Sequence, residues 1–291
     1  MFNRSRNRIA QKSEFVDPRL ILDFVIGYSS LYMKPKTQKT TSWGAVANWY
    51  DATVEDSASY QSSVVLPNLM RMMNIQKGEC VYDVACGQGF FSRAFAAAGA
   101  EVVGSDISPE LILIAEKNSP REIEFHTSPA EQSDFIADAS IDKIAIVLAL
   151  QNIERVAPVM SMAARVLKPG GKIFLVLNHP AFRNPGKSDW GYDEAKRVQF
   201  RRVDEYMTER KHVVQMHPGA DPSEVTYSFH RPLQLYVKHL SRVGFAVTAL
   251  EEWISNRKSN SGLRAAAENK ARFEIPLFMC VEATKVFERK E

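Results

Sequence analysis

Residues Glu79–Ser108 constrain the fold more than any other stretch of this chain, because strand, tight turn, helix and second strand follow one another there without interruption. Cys80–Ala85 is a short, mostly apolar run with β-branched and aromatic residues, the composition of a strand buried on both faces. Cys86-Gly87-Gln88-Gly89 follows, and its two glycines let the backbone turn tightly and approach a ligand with no Cβ in the way. Phe90–Ala98, rich in alanine, reads as a helix capped by Gly99. Glu101–Gly104 is a second short strand, with Asp106 just past its end.

In such a βαβ unit a ligand lies outside the carboxyl ends of the strands, over the glycine turn, and an acid about 20 residues further on can hydrogen-bond ribose hydroxyls. Asp106 has that spacing. The dinucleotide fingerprint G-x-G-x-x-G is incomplete, since Ser92 occupies its third glycine position. Asp83, inside the end of the first strand, argues further against a pyrophosphate, because bare N–H groups and a helix N-terminus favour an anion that a carboxylate beside the turn would repel. An amino-acid tail carrying an ammonium would instead be drawn to it.

Asp83-Val84-Ala85-Cys86-Gly87-Gln88-Gly89, together with Asp106, resembles the cofactor motif of class I (Rossmann-like) S-adenosylmethionine-dependent methyltransferases of the small-molecule type. Cys86 stands where that pattern usually has a further glycine. A second anchor is Arg165-Val166-Leu167-Lys168-Pro169-Gly170-Gly171 leading into Ile173–Leu177, which resembles the entry to the family's fifth strand. The resemblance implies an α/β fold: a seven-stranded, mostly parallel, doubly wound sheet with N-terminal helices and a lid inserted after the fifth strand. It also implies S-adenosyl-L-methionine as cofactor, with Gly87 and Gly89 against it, Asp83 near its methionine end and Asp106 on its ribose. Tyr50, Ala85, Cys86, Ile107, Ala130, Glu131, Leu148, Ala149 and Leu150 complete the implied cofactor wall. Pro129 stands where an adenine-contacting Asp is often found, which leaves adenine to backbone groups and Glu131. Gln151 and Asn152, at the end of the fourth strand, are candidate polar contacts to the acceptor.

The remaining elements continue the alternation. Pro18–Tyr32, Trp43–Asp51 and Ser57–Met73 read as helices ahead of the unit. Pro109–Asn118 is a helix capped by Ser108, Glu122–His126 a strand, Ile141–Leu150 a buried central strand and Val156–Leu167 a helix. After Asn178 comes an aromatic and charged stretch to Phe229, too long for an ordinary connection and too aromatic for disorder, which reads as a lid. A helix to Val243, a strand Phe245–Trp253, a polar loop or helix Asn256–Glu268 and a strand Pro276–Val286 close the chain. The domain organisation is therefore 1–42 arm and helix, 43–178 cofactor core with cap helices, 179–229 lid and 230–291 the end of the core sheet.

Composition bounds the alternatives. A 45% hydrophobic and 24% charged chain can bury a sizeable core, and a net charge of +3 does not by itself point to nucleic acid. Cys80, Cys86 and Cys280 are odd in number and lack metal spacing, so they read as reduced core thiols in a cytoplasmic protein, with no metal expected. No stretch reaches the length of a membrane span, and no signal peptide is read at the N-terminus. Arg4, Arg6, Arg8 and Lys12 read as a solvated basic arm.

Methyl transfer from a sulfonium is an in-line displacement, helped by a base when the acceptor is a phenol, hydroxyl or protonated amine. His179, directly after the fifth strand, is the first candidate base and His230 the second; either can equally order its loop through a backbone hydrogen bond. Phe182, Arg183, Trp190 and Tyr192 are candidate acceptor contacts, by stacking or by pairing with an anionic group. The expected partner is a small-molecule methyl acceptor, with the atom methylated and the oligomeric state open. The rivals are an RNA or protein methyltransferase using the basic arm and Arg257–Arg272, and a non-catalytic nucleotide- or NAD-binding protein.

Overall fold

The computed structural model describes residues 56–215 and 225–286. The expected helices Pro18–Tyr32 and Trp43–Asp51, with Tyr50, lie outside these residues, as does His217.

The expected helix Ser57–Met73 resolves into two parts, a wide π-helical turn at Gln61–Val65 and the α-helix α1, Leu66–Met73. Pro67 accounts for the division. It has no N–H for the preceding turn, and its ring crowds the carbonyl four residues back, so the chain widens there before the regular helix begins. The βαβ unit follows as β1 (Cys80–Val84), α2 (Phe90–Ala97) and β2 (Glu101–Asp106). Next come α3 (Pro109–Asn118) and β3 (Glu124–Thr127). The Ser108 hydroxyl accepts the Leu111 N–H at 3.2 Å, as the sequence predicts for an N-cap.

The fourth strand, β4, is shorter than expected, running from Ile141 to Val147. Leu148 turns to a positive φ of 54°, and the chain coils into a 3-10 turn at Leu150–Asn152 before α4, Val156–Val166. Conversely β5, Leu167–Asn178, starts earlier than expected. Gly170 adopts φ 77° there, a conformation that lets pairing with β4 slip at Ile141/Lys143 and resume. After the insertion, α5 (Leu233–Arg242), β10 (Phe245–Trp253), α6 (Ala265–Glu274) and β11 (Phe278–Lys285) complete the described chain.

These strands form a seven-stranded sheet in the order β3-β2-β1-β4-β5-β11-β10. β1 to β5 pair in parallel, and β11 lies antiparallel between β5 and β10. The order reverses at β1, whose neighbours β2 and β4 leave in opposite directions, and that is where a crevice opens at the carboxyl edge of such a sheet. Side chains alternate across it. Tyr82, Val84, Ile144, Ile146, Leu175 and Leu177 pack with Met160 and Ala163 of α4 and Tyr236 and Leu240 of α5. Val81, Ala145, Phe174, Val176 and Cys280 pack on the other face with Leu69 and Met73 of α1 and Phe91 and Phe95 of α2.

Between β5 and α5 the chain forms two antiparallel ribbons, β6 (Ser188–Asp193) with β7 (Val198–Val203), and β8 (Arg210–Gln215) with β9 (Val225–His230). No strand was expected in this insertion. The alternation on β7 is inverted, with Val198 and Phe200 exposed and Gln199 and Arg201 half-buried, so the usual apolar-in pattern is absent.

A close approach fixes the floor of the crevice. A Cβ on Gly104 of β2 would stand 2.7 Å from the Phe125 ring and 3.1 Å from Cys86 Sγ. Gly104→Ala is expected to cost about 1–3 kcal/mol through overpacking, measured by denaturant unfolding. Combining it with Phe125→Leu should recover part of that loss, since the two side chains compete for one space.

Candidate active site

The turn after β1 is held by its neighbour strand. Cys86 N–H donates to the Ser105 carbonyl at 2.9 Å, and Gly87 N–H donates to Asp106 Oδ2 at 3.0 Å. Ser108 N–H donates to the other carboxylate oxygen, Oδ1, at 2.9 Å. With about four acceptor sites on its two oxygens, the carboxylate keeps lone-pair capacity for a ligand hydroxyl beside its backbone donors Ser108, Gly87 and Ile107. Burial pushes Asp106 above the usual carboxylate range, opposed by these backbone donors.

Ala85 and Leu148 both take positive φ, 58° and 54°, at the carboxyl ends of β1 and β4. For alanine and leucine this left-handed backbone is strained, and strain of this kind gathers at binding sites. Gly87 and Gly89 take φ of 58° and 79°, and a Cβ on Gly89 would stand 3.0 Å from Phe125, so the cradle requires glycine there. The Cys86 thiol is buried, with burial raising its pKa well above the ordinary value, and it uses the room left by Gly104.

Asp83 is 1% exposed and its Oδ2 accepts the Ser92 hydroxyl at 2.6 Å. Burial pushes its pKa up to about 7, with the Ser92 hydrogen bond opposing and the Asp106 charge adding to the rise. Ser92 is a residue that sequence reasoning passed over. Its only signal was the missing third glycine of the fingerprint. Because Asp83 is closed to solvent, its charge acts on a ligand through the field of the low-dielectric turn.

Two more buried polar groups lie in the segments that follow β1 and β4. Gln88 Nε2 and Gln151 Oε1 are buried and have no hydrogen-bond partner among the described residues. Gln88 was not singled out in the sequence, since nothing in G-Q-G marks the glutamine. Gln151 Nε2 donates to the Leu148 carbonyl at 2.6 Å, and Asn152 Nδ2 donates to the Tyr227 carbonyl of β9 at 2.9 Å. Asn152 therefore ties the end of β4 to the insertion.

The rest of the expected cofactor wall divides. Ile107 is 44% exposed beside Asp106, an apolar surface left open, while Ala130 is buried and Leu148 and Ala149 are half-buried. Glu131 pairs with Arg155 at 3.2 Å. Leu150 is fully buried, its side chain in the core with α4. Tyr50 lies outside the described residues.

The two candidate bases are both engaged. His179 Nε2 donates to Glu252 at 2.7 Å, while Nδ1 accepts the Ala181 and Phe182 N–H groups at 3.2 and 3.4 Å, so neither ring nitrogen is left for an acceptor. The first candidate base is thus held at both nitrogens, the loop-ordering arrangement named beside it in the sequence reading. The ring, stacked on Phe182 at 4.6 Å, orders the start of the insertion. His230 is buried and its Nε2 donates to the Tyr206 carbonyl at 2.8 Å. Of the acceptor candidates, Phe182, Arg183 and Trp190 line one cleft, whereas Tyr192 lies under the Arg264 guanidinium at 4.4 Å and outside it.

A family model described as a methyltransferase domain matches residues 82–175. Over those residues the chain resembles a methyltransferase domain. The demethylmenaquinone methyltransferase of Tropheryma whipplei (strain Twist) is 34% identical over 137 residues, 46% of this chain and 57% of that protein. The ubiquinone biosynthesis O-methyltransferase of Xanthomonas oryzae pv. oryzae (strain PXO99A) is 28% identical over the same length, with the same coverage. The chain thus spans just over half the length of these relatives. An S-adenosylmethionine-dependent methyltransferase from Mesorhizobium loti superposes with a TM-score of 0.59 at 25% identity, over 75% of this chain and 96% of that one. The seven-stranded sheet of that stretch and its continuation is the class I methyltransferase fold, and the family implies S-adenosyl-L-methionine as cofactor.

The residues present fit that cofactor. The turn keeps a bare glycine backbone at Gly89, where a Cβ would press on Phe125, Asp106 keeps lone-pair capacity for ribose hydroxyls, and Gln88 and Gln151 hold an unmet donor and acceptor among the described residues. Among the described residues no group of three or more His, Cys, Asp or Glu side chains could hold a metal ion.

The His179 geometry requires a neutral ring, and burial holds its pKa below the ordinary 6.5, with Glu252 opposing. Its contribution to stability is fully present above that value and is lost as pH falls through the lower folded-state pKa. His179→Ala is therefore expected to cost about 1–3 kcal/mol near neutral pH, through two backbone N–H groups left without an acceptor. The difference from wild type should shrink in acid, as followed by thermal melts across pH.

Proposed function

We propose that the chain is an S-adenosylmethionine-dependent methyltransferase that transfers a methyl group in line to a small-molecule acceptor, leaving S-adenosylhomocysteine. The observation that carries it is the Gly87 N–H to Asp106 contact, which places a partly satisfied carboxylate beside a glycine cradle within the stretch that resembles a methyltransferase domain. The two relatives described above are named for demethylmenaquinone and for ubiquinone biosynthesis, which supports a small organic acceptor.

When bound, the cofactor supplies an electrophilic methyl on sulfur. Asp106 holds the ribose, Ile107 offers an apolar face to the adenine, and the Asp83 charge favours the ammonium of the amino-acid tail. The Asn152–Tyr227 tie joins the segment after β4 to the insertion, which acts as a lid over the acceptor. With both nitrogens of His179 occupied, the rate gain comes chiefly from holding acceptor and methyl in a near-attack geometry. Positions 179–229 form the acceptor region and 43–178 with 230–291 the cofactor core. Three free cysteines support a reducing compartment, and no described helix is long and apolar enough to cross a membrane.

Asp106→Ala should weaken S-adenosylhomocysteine binding by roughly ten- to a hundredfold in calorimetry, the loss expected for hydrogen bonds to a charged group. Wild-type affinity would refute the ribose assignment. Asp83 ionises in the folded chain only near pH 7, so a ligand cation that prefers the carboxylate must drive off a proton below that pH. Binding at about pH 6 should release a fraction of a proton, and the release should vanish well above pH 7, as read from calorimetry in two buffers of different ionisation heat. Asp83→Asn should abolish the release.

A further inference from the structure

A second cavity opens at the carboxyl edge of the sheet, away from the glycine turn. It has a volume of about 260 Å³ and is lined by Phe182, Arg183, Asn184, Trp190, Arg201 and Leu277, among others. Its place follows from the His179 N–H to Leu277 carbonyl bond of 2.9 Å, which joins the end of β5 to the start of β11. From the end of β4 this is two strand spacings, roughly 10 Å.

The chemistry of its walls is uneven. Arg201 is locked in place: Nε donates to the Phe182 carbonyl at 2.8 Å, and Nη2 donates to the Ser188 carbonyl and hydroxyl at 3.2 and 2.9 Å. Its guanidinium also lies over the Trp190 ring at 5.1 Å. Arg183 is exposed and close enough that, after burial, its charge is the next largest influence lowering the Arg201 pKa. Among the described residues no carboxylate lines the cavity. The nearby Asp189 spends Oδ1 on the Trp190 N–H at 2.8 Å. Asn184, in the same lining, is 1% exposed, with neither Oδ1 nor Nδ2 partnered among the described residues. Two guanidinium groups and an unmet amide donor without an acid are the complement of a carboxylate, and arginine suits a planar anion best. Phe182, Trp190, Ile275, Pro276 and Leu277 supply flat apolar walls for a ring.

We propose that this cleft binds a carboxylate carried on an aromatic ring, with Arg183 as the pairing cation and Trp190 as the stacking wall. Resting on the methyltransferase reading, that group is the acid end of the methyl acceptor, whose reacting end reaches toward β4.

The test uses benzoate, with benzamide as its neutral isostere and inorganic phosphate as a non-planar anion, each titrated into the full chain. The readout is the Trp190 indole N–H resonance, assigned by its loss in Trp190→Phe. Benzoate is expected to shift it saturably, benzamide and phosphate to need at least about tenfold higher concentration, and Arg183→Gln to weaken benzoate by about tenfold or more. Equal binding of benzamide or phosphate, an unmoved Trp190 resonance, or unchanged benzoate affinity in Arg183→Gln overturns the proposal. S-adenosylhomocysteine affinity, measured on the same samples, should be equal in wild type and Arg183→Gln. Its absence in wild type would refute the methyltransferase reading while leaving the benzoate result to stand or fall alone.

Discussion

The described site depends on one buried carboxylate. Asp106 ends β2 and accepts N–H groups from both the β1 turn and its own following loop, so it closes the βαβ unit on itself. A hydrogen bond to a charged group contributes about 1.5–3 kcal/mol, which offsets the cost of taking the carboxylate out of water. The consequence is geometric. With Gly87 and Ser108 pinned to one side chain, the glycine cradle and the start of α3 are held to each other.

Around that bond, volume decides what each position can hold. Gly104 leaves the space that Cys86 and Phe125 occupy, which is why a cysteine is tolerated at a motif position where the family usually keeps a glycine. Asp83 lies opposite Gly104 and Ala145 in the sheet, two small neighbours that leave room for a charge deep in the floor. Ser92 then satisfies it from α2. The departure from the dinucleotide fingerprint and the acid in the strand are thus parts of one arrangement.

The insertion spends its polar residues on holding itself to the sheet. Arg231 donates to the Ile153 and Glu154 carbonyls at 2.9 and 2.6 Å, and Asn152 and His179 make comparable ties. Each is a residue type that sequence reasoning assigns to chemistry as readily as to structure. Besides Gln88 and Gln151 at the glycine turn and the end of β4, the cleft beside β11 also keeps an unspent side chain, Asn184, whose amide has no hydrogen-bond partner among the described residues.

The amino-acid sequence by itself determined the order of core strands and helices, the glycine cradle and its acid, because these follow from periodicity, turn chemistry and spacing within one unit. β10 was expected at the residues it occupies, and Ser108 caps α3 as expected. Tertiary structure alone decided the rest. Leu150 looks like the end of a strand until the positive φ at Leu148 sends it into the core. His179 looks like a base until Glu252, seventy-three residues away in the chain, takes its Nε2 proton donor. The ribbons of the insertion show no apolar alternation of the usual sense, since β7 turns Val198 and Phe200 outward. Such outcomes rest on partners brought together by folding across long sequence separations, and local pattern carries no record of them.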